Sequence, residues 1–402
     1  MTDLQTFKRK LASGEPQSEA DPTFAKVRYH SWHLEQLHSV ATGNTELPSR
    51  PLPNGIELVQ AQVRWSHLTE KLTKQGIVVC DFQTALSHFP NVLQRSLGQV
   101  IGPHANTLAA INWKEFTNGI LVWVPAETHV TELINVIQTI TADLASRLIV
   151  YVENQAQVTI LSQLRSTEIA QGKSSLVMEV VAEPGAEVNL ITVDEIGPQL
   201  QGSIFRKATV RQGAQVNWYN AELNQGNQLI DLQSQLVGTG AQSLTNVIAL
   251  TSDKQIQGLN TKILNQAPHT VGNILQRGVI LDRSRLVFNG IGEIKQGAVG
   301  SDAQQESRVL MLSKYARGDA NPLLLIDESD VTAGHAASVG RVDADQLYYL
   351  MSRGIDKKTA QRLVIRGFLG PVVVKIPTKE VQQEVINLIE KKLVAAELQG
   401  ED

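Results

Sequence analysis

The side chains best suited to chemistry are thinly spread along this chain, which has one cysteine and nine histidines in 402 residues. Cys80 follows Ile77, Val78 and Val79 and reads as a buried small hydrophobe rather than a nucleophile. One thiol forms no internal disulfide and cannot furnish a Cys-rich zinc site or a full iron–sulfur ligand set, so a reducing compartment, the cytoplasm, is expected. His30, His33 and His38 lie close together and read as a polar helix face rather than a metal trio. His269 follows Pro268 in a turn. Gly172-Lys173-Ser174 resembles the end of a phosphate-binding loop. The glycine that loop needs five residues earlier is replaced by Thr167, and a strand rather than a helix follows. The sequence contains no H-E-x-x-H, no G-x-S-x-G and no Cys/His cluster.

His335 is set apart by its neighbours Ala333, Gly334, Ala336, Ala337 and Ser338. Small residues leave an imidazole accessible and let another backbone approach. A histidine near neutral pH binds a metal through its neutral ring or shuttles a proton. On composition alone, a hydrogen-bonded turn histidine is the plainer reading.

The elements that would position these groups follow from composition and period. Hydrophobic residues make up 42% of the chain, which excludes a disordered protein; the length suits two to three structural units. A net charge of −4 gives no footprint for nucleic acid or an anionic lipid surface. No apolar run is long enough to span a membrane, and Met1 to Asp21 lacks the apolar region of a secretory signal.

Three zones separate. Residues 1–100 read as helical, over Thr23 to His38, Ile56 to Lys74 and Phe82 to Leu97, with a Pro/Gly/Asn stretch from Thr42 to Gly55. Residues 101–328 read as many short strands. Within them a phrase recurs at Gln155-Ala156, Gly185-Ala186, Gly213-Ala214 and Gly240-Ala241, with an echo at Gly297-Ala298. A recurrence near 28 residues indicates stacked units, a parallel β-helix or related solenoid, with an ordinary sandwich as the alternative. Residues 329–402 return to helix. Asp343 caps one helix that Gly354 stops, and Asp356 starts another that Gly367 ends. A strand then runs from Pro371 to Ile376, and Thr378 caps a last helix with Val381, Val385, Leu388 and Ile389 on its apolar face. Parallel β-helices also host calcium-dependent polysaccharide lyases; Asp282 and Asp302 would have to serve, making a carbohydrate-active enzyme a remote alternative.

The segment Leu312 to Phe368 resembles the SufB/SufD family of the SUF iron–sulfur cluster assembly system. The likeness is carried by Ser313, Pro322, Asp330-Val331, His335, Gly340, Asp343, Leu347-Tyr348-Tyr349-Leu350, Ser352-Arg353-Gly354-Ile355, Gly367 and Phe368. Upstream, His269-Thr270, Gly278-Val279 and Phe288-Asn289-Gly290 look like the family's last β-helix turns. The resemblance implies a right-handed parallel β-helix flanked by N- and C-terminal helical regions. It also implies pairing of a SufB-like with a SufD-like subunit, and docking of a SufC-like ATPase on helices near Asp343 to Phe368. ATP would act only through that ATPase. SufB-like chains are expected to offer a cysteine and a Glu-His-Glu cluster near this end of the β-helix, and neither is here. Many SufD-like chains carry a cysteine where this one has Ala333. The resemblance therefore favours a SufD-like, non-catalytic subunit. His335 is its main candidate ligand for iron or a cluster, held transiently at the SufB interface, with no tightly bound cofactor. The alternative is a SufB-like scaffold acting as a homodimer; isolated monomers are expected to be the less stable form, and whether the isolated chain pairs with itself stays open.

Overall fold

The computed structural model describes residues 3–12, 20–41 and 52–399. Most of the Thr42 to Gly55 stretch, with Pro48 and Pro51, lies outside the described residues. The chain begins with α1 (Leu4–Leu11), then a strap over residues 20–41 with two 3-10 turns, His30–Trp32 and Leu34–Gln36. A hairpin of β1 (Gly55–Val59) and β2 (Gln62–His67) follows, then α2 (Glu70–Lys74), β3 (Val78–Asp81), α3 (Phe82–His88), α4 (Pro90–Ser96) and α5 (Thr107–Glu115).

The strands that follow alternate between two sheets. They are β4 (Gly119–Val124), β5 (Ile134–Ile140), β6 (Leu144–Val152), β7 (Gln157–Ser166), β8 (Gly172–Ala182), β9 (Glu187–Glu195), β10 (Leu200–Val210), β11 (Gln215–Glu222), β12 (Gln228–Leu236), β13 (Gln242–Thr251), β14 (Ile256–Asn265), β15 (Val271–Ile280), β16 (Arg285–Ile294), β17 (Asp302–Met311), β18 (Arg317–Ile326) and β19 (Thr332–Arg341). Odd strands pair in one sheet and even strands in the other, all parallel from β4 onward, giving a β-solenoid of about eight turns. Three helices close the chain: α6 (Ala344–Ser352), α7 (Lys357–Val373) and α8 (Lys379–Gln399).

Stacking works because equivalent positions repeat on every turn. At the bend before each odd strand from β7 to β17, Gln155, Gly185, Gly213, Gly240, His269 and Gly300 all have positive φ. The residue after each is buried: Ala156, Ala186, Ala214, Ala241, Thr270 and Ser301. A crowded bend admits little more than a methyl or hydroxyl group. The repeated phrase thus marks true turns as far as Ala241, but the column then continues at Thr270 and Ser301. The Gly297-Ala298 echo sits three residues early, in a longer bend.

The outer faces of the two sheets are covered differently. Helices α7 and α8 pack Ile365, Leu369, Val372, Val385 and Ile389 onto Ile191, Val193, Ile248 and Val279 of the odd-strand sheet. The strap lays Phe24, Val27, Trp32 and Leu34 on Val177, Phe205, Leu229 and Val287 of the even-strand sheet. A Cβ at Gly258 would lie 2.7 Å from Val27 Cγ2, so the glycine is the socket for that valine.

Several local expectations are corrected. Ile56 to Lys74 is not one helix: β1 is buried throughout and pairs with β5, and that pairing overrides the helical spacing. Thr23 to His38 is the strap. Phe82 to Leu97 is two helices, broken at Phe89-Pro90 because proline disfavours helical backbone in the residue before it. The solenoid runs past residue 328 to Arg341. Gly367 does not end α7, and Pro371 to Ile376 is not a strand, since the helix continues through Gly367 and Pro371 to Val373. Thr378 does not cap α8 with its side chain. Its buried Oγ1 has no hydrogen-bond partner, while its carbonyl accepts from Gln382 N at 3.0 Å.

Candidate functional site

The two ends of the solenoid are built differently. At the first turn, β2 pairs antiparallel with β1, and β3 pairs antiparallel with β4, closing both sheets. At the last turn, β18 and β19 are the outermost strands of their sheets. Nothing among the described residues pairs with their outer edges. β19 is exposed along most of its length, and β18 leaves Leu323, Leu325 and Ile326 exposed, as β19 leaves Val339. A sheet edge with unpaired backbone groups and exposed aliphatics is a template for another strand.

His335 lies on β19. Register places it after Ile160, Leu190, Trp218, Thr245, Ile274 and Gln305 in a column that runs through successive turns. Earlier members of that column are buried in the solenoid core, whereas His335 is exposed because no turn follows. The neighbouring groove holds about 570 Å³ and includes Asn273, Gln304, Glu306, His335 and Lys375. Beneath it, Gln305 crosses between the sheets, donating from Nε2 to the Leu323 carbonyl at 2.7 Å.

The chain leaves β19 into α6. Asp343 caps that helix, accepting from Asp345 N at 2.8 Å. No residue of α6 is buried; Tyr348 is 73% and Tyr349 61% exposed. Leu347 and Leu350 are half-buried, Ser352 Oγ donates to the Tyr349 carbonyl, and Arg353 forms the C-cap. Gly354 turns the chain at φ +86°, and Ile355 N donates back to the Leu350 carbonyl. This is an exposed aromatic helix on a short, hydrogen-bonded tether. Gly367 and Phe368 belong to a different surface. Gly367 is exposed on α7, in an apolar groove with Leu363, Gly370 and Ile386. Phe368 packs toward the solenoid beneath Arg277, 5.8 Å from its guanidinium. From His335 to the end of β19 is about 20 Å at strand rise, so His335 and α6 are two patches at one end, not one pocket.

The other singled-out groups stay apart. His30 Nε2 lies 3.2 Å from Asp21 and His33 Nδ1 3.3 Å from Glu35, on the strap surface. His269 occupies its turn. Asp282 accepts from Asp253 N, and Asp302 accepts from Gln304 Nε2 on another turn. Among the described residues, no group of three or more His, Cys, Asp or Glu gathers to hold a metal. No described helix is long and apolar enough to cross a membrane. The exposed Leu323, Leu325 and Ile326 were not singled out in the sequence, because only the absence of a further turn leaves these aliphatics uncovered.

The class these features define is a β-solenoid capped at one end and, among the described residues, open at the other, with an exposed helix beside the opening. The family model for the SUF system FeS cluster assembly SufBD core domain matches residues 135–368, and the chain belongs to that family. The iron–sulfur cluster assembly protein SufD of Bacillus subtilis is 35% identical over 334 residues, 81% of this chain and 76% of that protein. SufB of the same organism is 23% identical over 79% of this chain and 69% of its own. A SufBD family protein of Mycobacterium bovis is 29% identical over 55% of this chain, which covers 26% of that longer protein.

Proposed function

We propose that this chain is a SufD-like, non-catalytic subunit of a cytoplasmic scaffold for iron–sulfur cluster assembly. Its open end pairs with a SufB-like subunit, and α6 with its tether receives a SufC-like ATPase, through which alone ATP acts. The observation that carries this reading is the contrast between the closed first turn and the exposed β18 and β19 edges. Iron or a nascent cluster is cargo here: His335 supplies one imidazole at the opening and the paired subunit supplies the remaining ligands.

Co-expression with SufB-like and SufC-like partners, followed by mass measurement, tests the assembly. A stable complex containing all three is expected, and a chain that stays alone overturns the reading. A homodimer that persists in the presence of the SufB-like chain would favour the homodimeric scaffold instead. In cells lacking another assembly system, His335→Ala should lower cluster maturation, and unimpaired maturation removes the ligand role. Arg353→Glu should weaken ATPase pull-down.

A further inference from the structure

One outward-facing column of the even-strand sheet carries an amide on three successive turns: Asn260 of β14, Asn289 of β16 and Asn321 of β18. Asn321 Nδ2 donates to Asn289 Oδ1 at 2.8 Å, and Asn289 Nδ2 to Asn260 Oδ1 at 2.9 Å. Asn260 Nδ2 donates to the Thr23 carbonyl of the strap at 3.0 Å. The nitrogen and oxygen of an amide are told apart by their partners. Here the last partner decides, because a backbone carbonyl only accepts. Asn260 must turn its nitrogen to Thr23 and its oxygen to β16. That oxygen requires a donor, which orients Asn289, and Asn289 in turn orients Asn321. Asn321 therefore directs its nitrogen inward and its Oδ1 to the unpaired side of β18, where no donor among the described residues meets it.

We propose that Asn321 determines which strand the open end accepts: its oxygen selects a partner edge strand bearing an Asn or Gln side chain at the facing position, so that the amide ladder continues across the interface. The inference rests on the pairing proposed above. Once covered, an oxygen opposite an aliphatic residue would be buried without a donor, and one opposite a carboxylate would meet a second acceptor. Lysine or arginine would donate but would lose hydration beside Leu323 and Leu325. An amide donates to Asn321 and keeps its own oxygen for the next position. The strap thereby sets the polarity of the pairing edge, although its Thr23 lies two turns back.

Wild type, Asn321→Leu and Asn289→Asp are titrated with the SufB-like subunit by calorimetry, and each is melted alone. Both variants break the ladder and should melt earlier. Asn321→Leu should bind about tenfold more weakly, the loss expected for one buried hydrogen bond. Asn289→Asp sets two acceptors against each other at Asn260 but still accepts from Asn321 Nδ2, so it keeps the edge oxygen turned outward and should bind as wild type. Wild-type affinity in Asn321→Leu overturns the proposal. Equal weakening in both variants also overturns it, since the effect would then be structural. If wild type forms no complex at all, the pairing itself fails, a separate and recognisable result.

Discussion

Arg206 projects from β10 into the solenoid, where its guanidinium lies 2.5 Å from Asp194 of β9 and 2.7 Å from Glu222 of β11. All three are buried, and burial together with Asp194 pushes the Glu222 carboxyl well above its ordinary range. Removing one partner of such a group strands the others in low dielectric. Arg206→Met should therefore cost about 3–5 kcal/mol of stability at pH 8. Without the guanidinium, which holds it down, the Glu222 carboxyl titrates higher still in the folded state than in the unfolded chain. A folded pKa above the unfolded one means stability is present at low pH and lost as pH rises. The deficit should thus shrink at pH 5, and urea melts at the two pH values check this; equal deficits would count against it. Little of this network was legible in the sequence, since Arg206, Asp194 and Glu222 stand on different strands and only register gathers them. Cys80 was legible: its apolar neighbours announced burial, which with Asp81 pushes its thiol up to about 12. For His335 the small neighbours signalled access, but not its place at the end of a core column.

Secondary elements were most legible where one period acts alone. The apolar stripe of α8 is where the spacing placed it, with Val381, Val385 and Ile389 buried. Reading failed where a partner overrode local preference, as in β1, whose Ile56 and Leu58 suit helix or strand until β5 pairs with them. One signal on α8 went unused: Lys392 falls on the apolar stripe, seven residues after Val385. It is buried, donating to the carbonyls of Leu223, Asn224 and Leu250 and to Gln255 Oε1. These acceptors pin the helix to the ends of β11 and β13. Lys392→Met takes this donor from all four acceptors and should cost about 1–3 kcal/mol at pH 7. Burial pulls the lysine down to about 7, below its unfolded value near 10.4. The unfolded chain then binds more protons between those values, so this residue's contribution grows as pH rises through them. Wild type should gain stability over Lys392→Met between pH 7 and pH 10 in thermal melts. A constant difference would mean the ammonium keeps its proton throughout.

For the whole molecule, the recurrence of Gly-Ala bends near 28 residues was enough to reveal a stack, but not where the stack stops. Its limits depend on contacts with no period: the antiparallel β2 and β3 at one end and, among the described residues, no strand on the outer edges of β18 and β19 at the other. In a solenoid each turn is held by its neighbours, so a terminal turn has half the support of an interior one. The first turn recovers that support from the hairpin and the N-terminal helices, which share a core with Leu121, Ile149 and Tyr151. The last recovers a little at β18, where Lys26 of the strap reaches Asp319 at 3.0 Å, and almost none at β19. Local opening costs least where buried apolar contacts are fewest. Amide exchange of the isolated chain should therefore be graded, slowest over β7 to β13, faster in β18 and fastest in β19. Addition of the SufB-like subunit should slow β18 and β19 while leaving the central turns unchanged. Uniform protection in the isolated chain would show that the last turn is not an unsupported end. Slowing confined to α6 would place the partner on the helix rather than on the open edge.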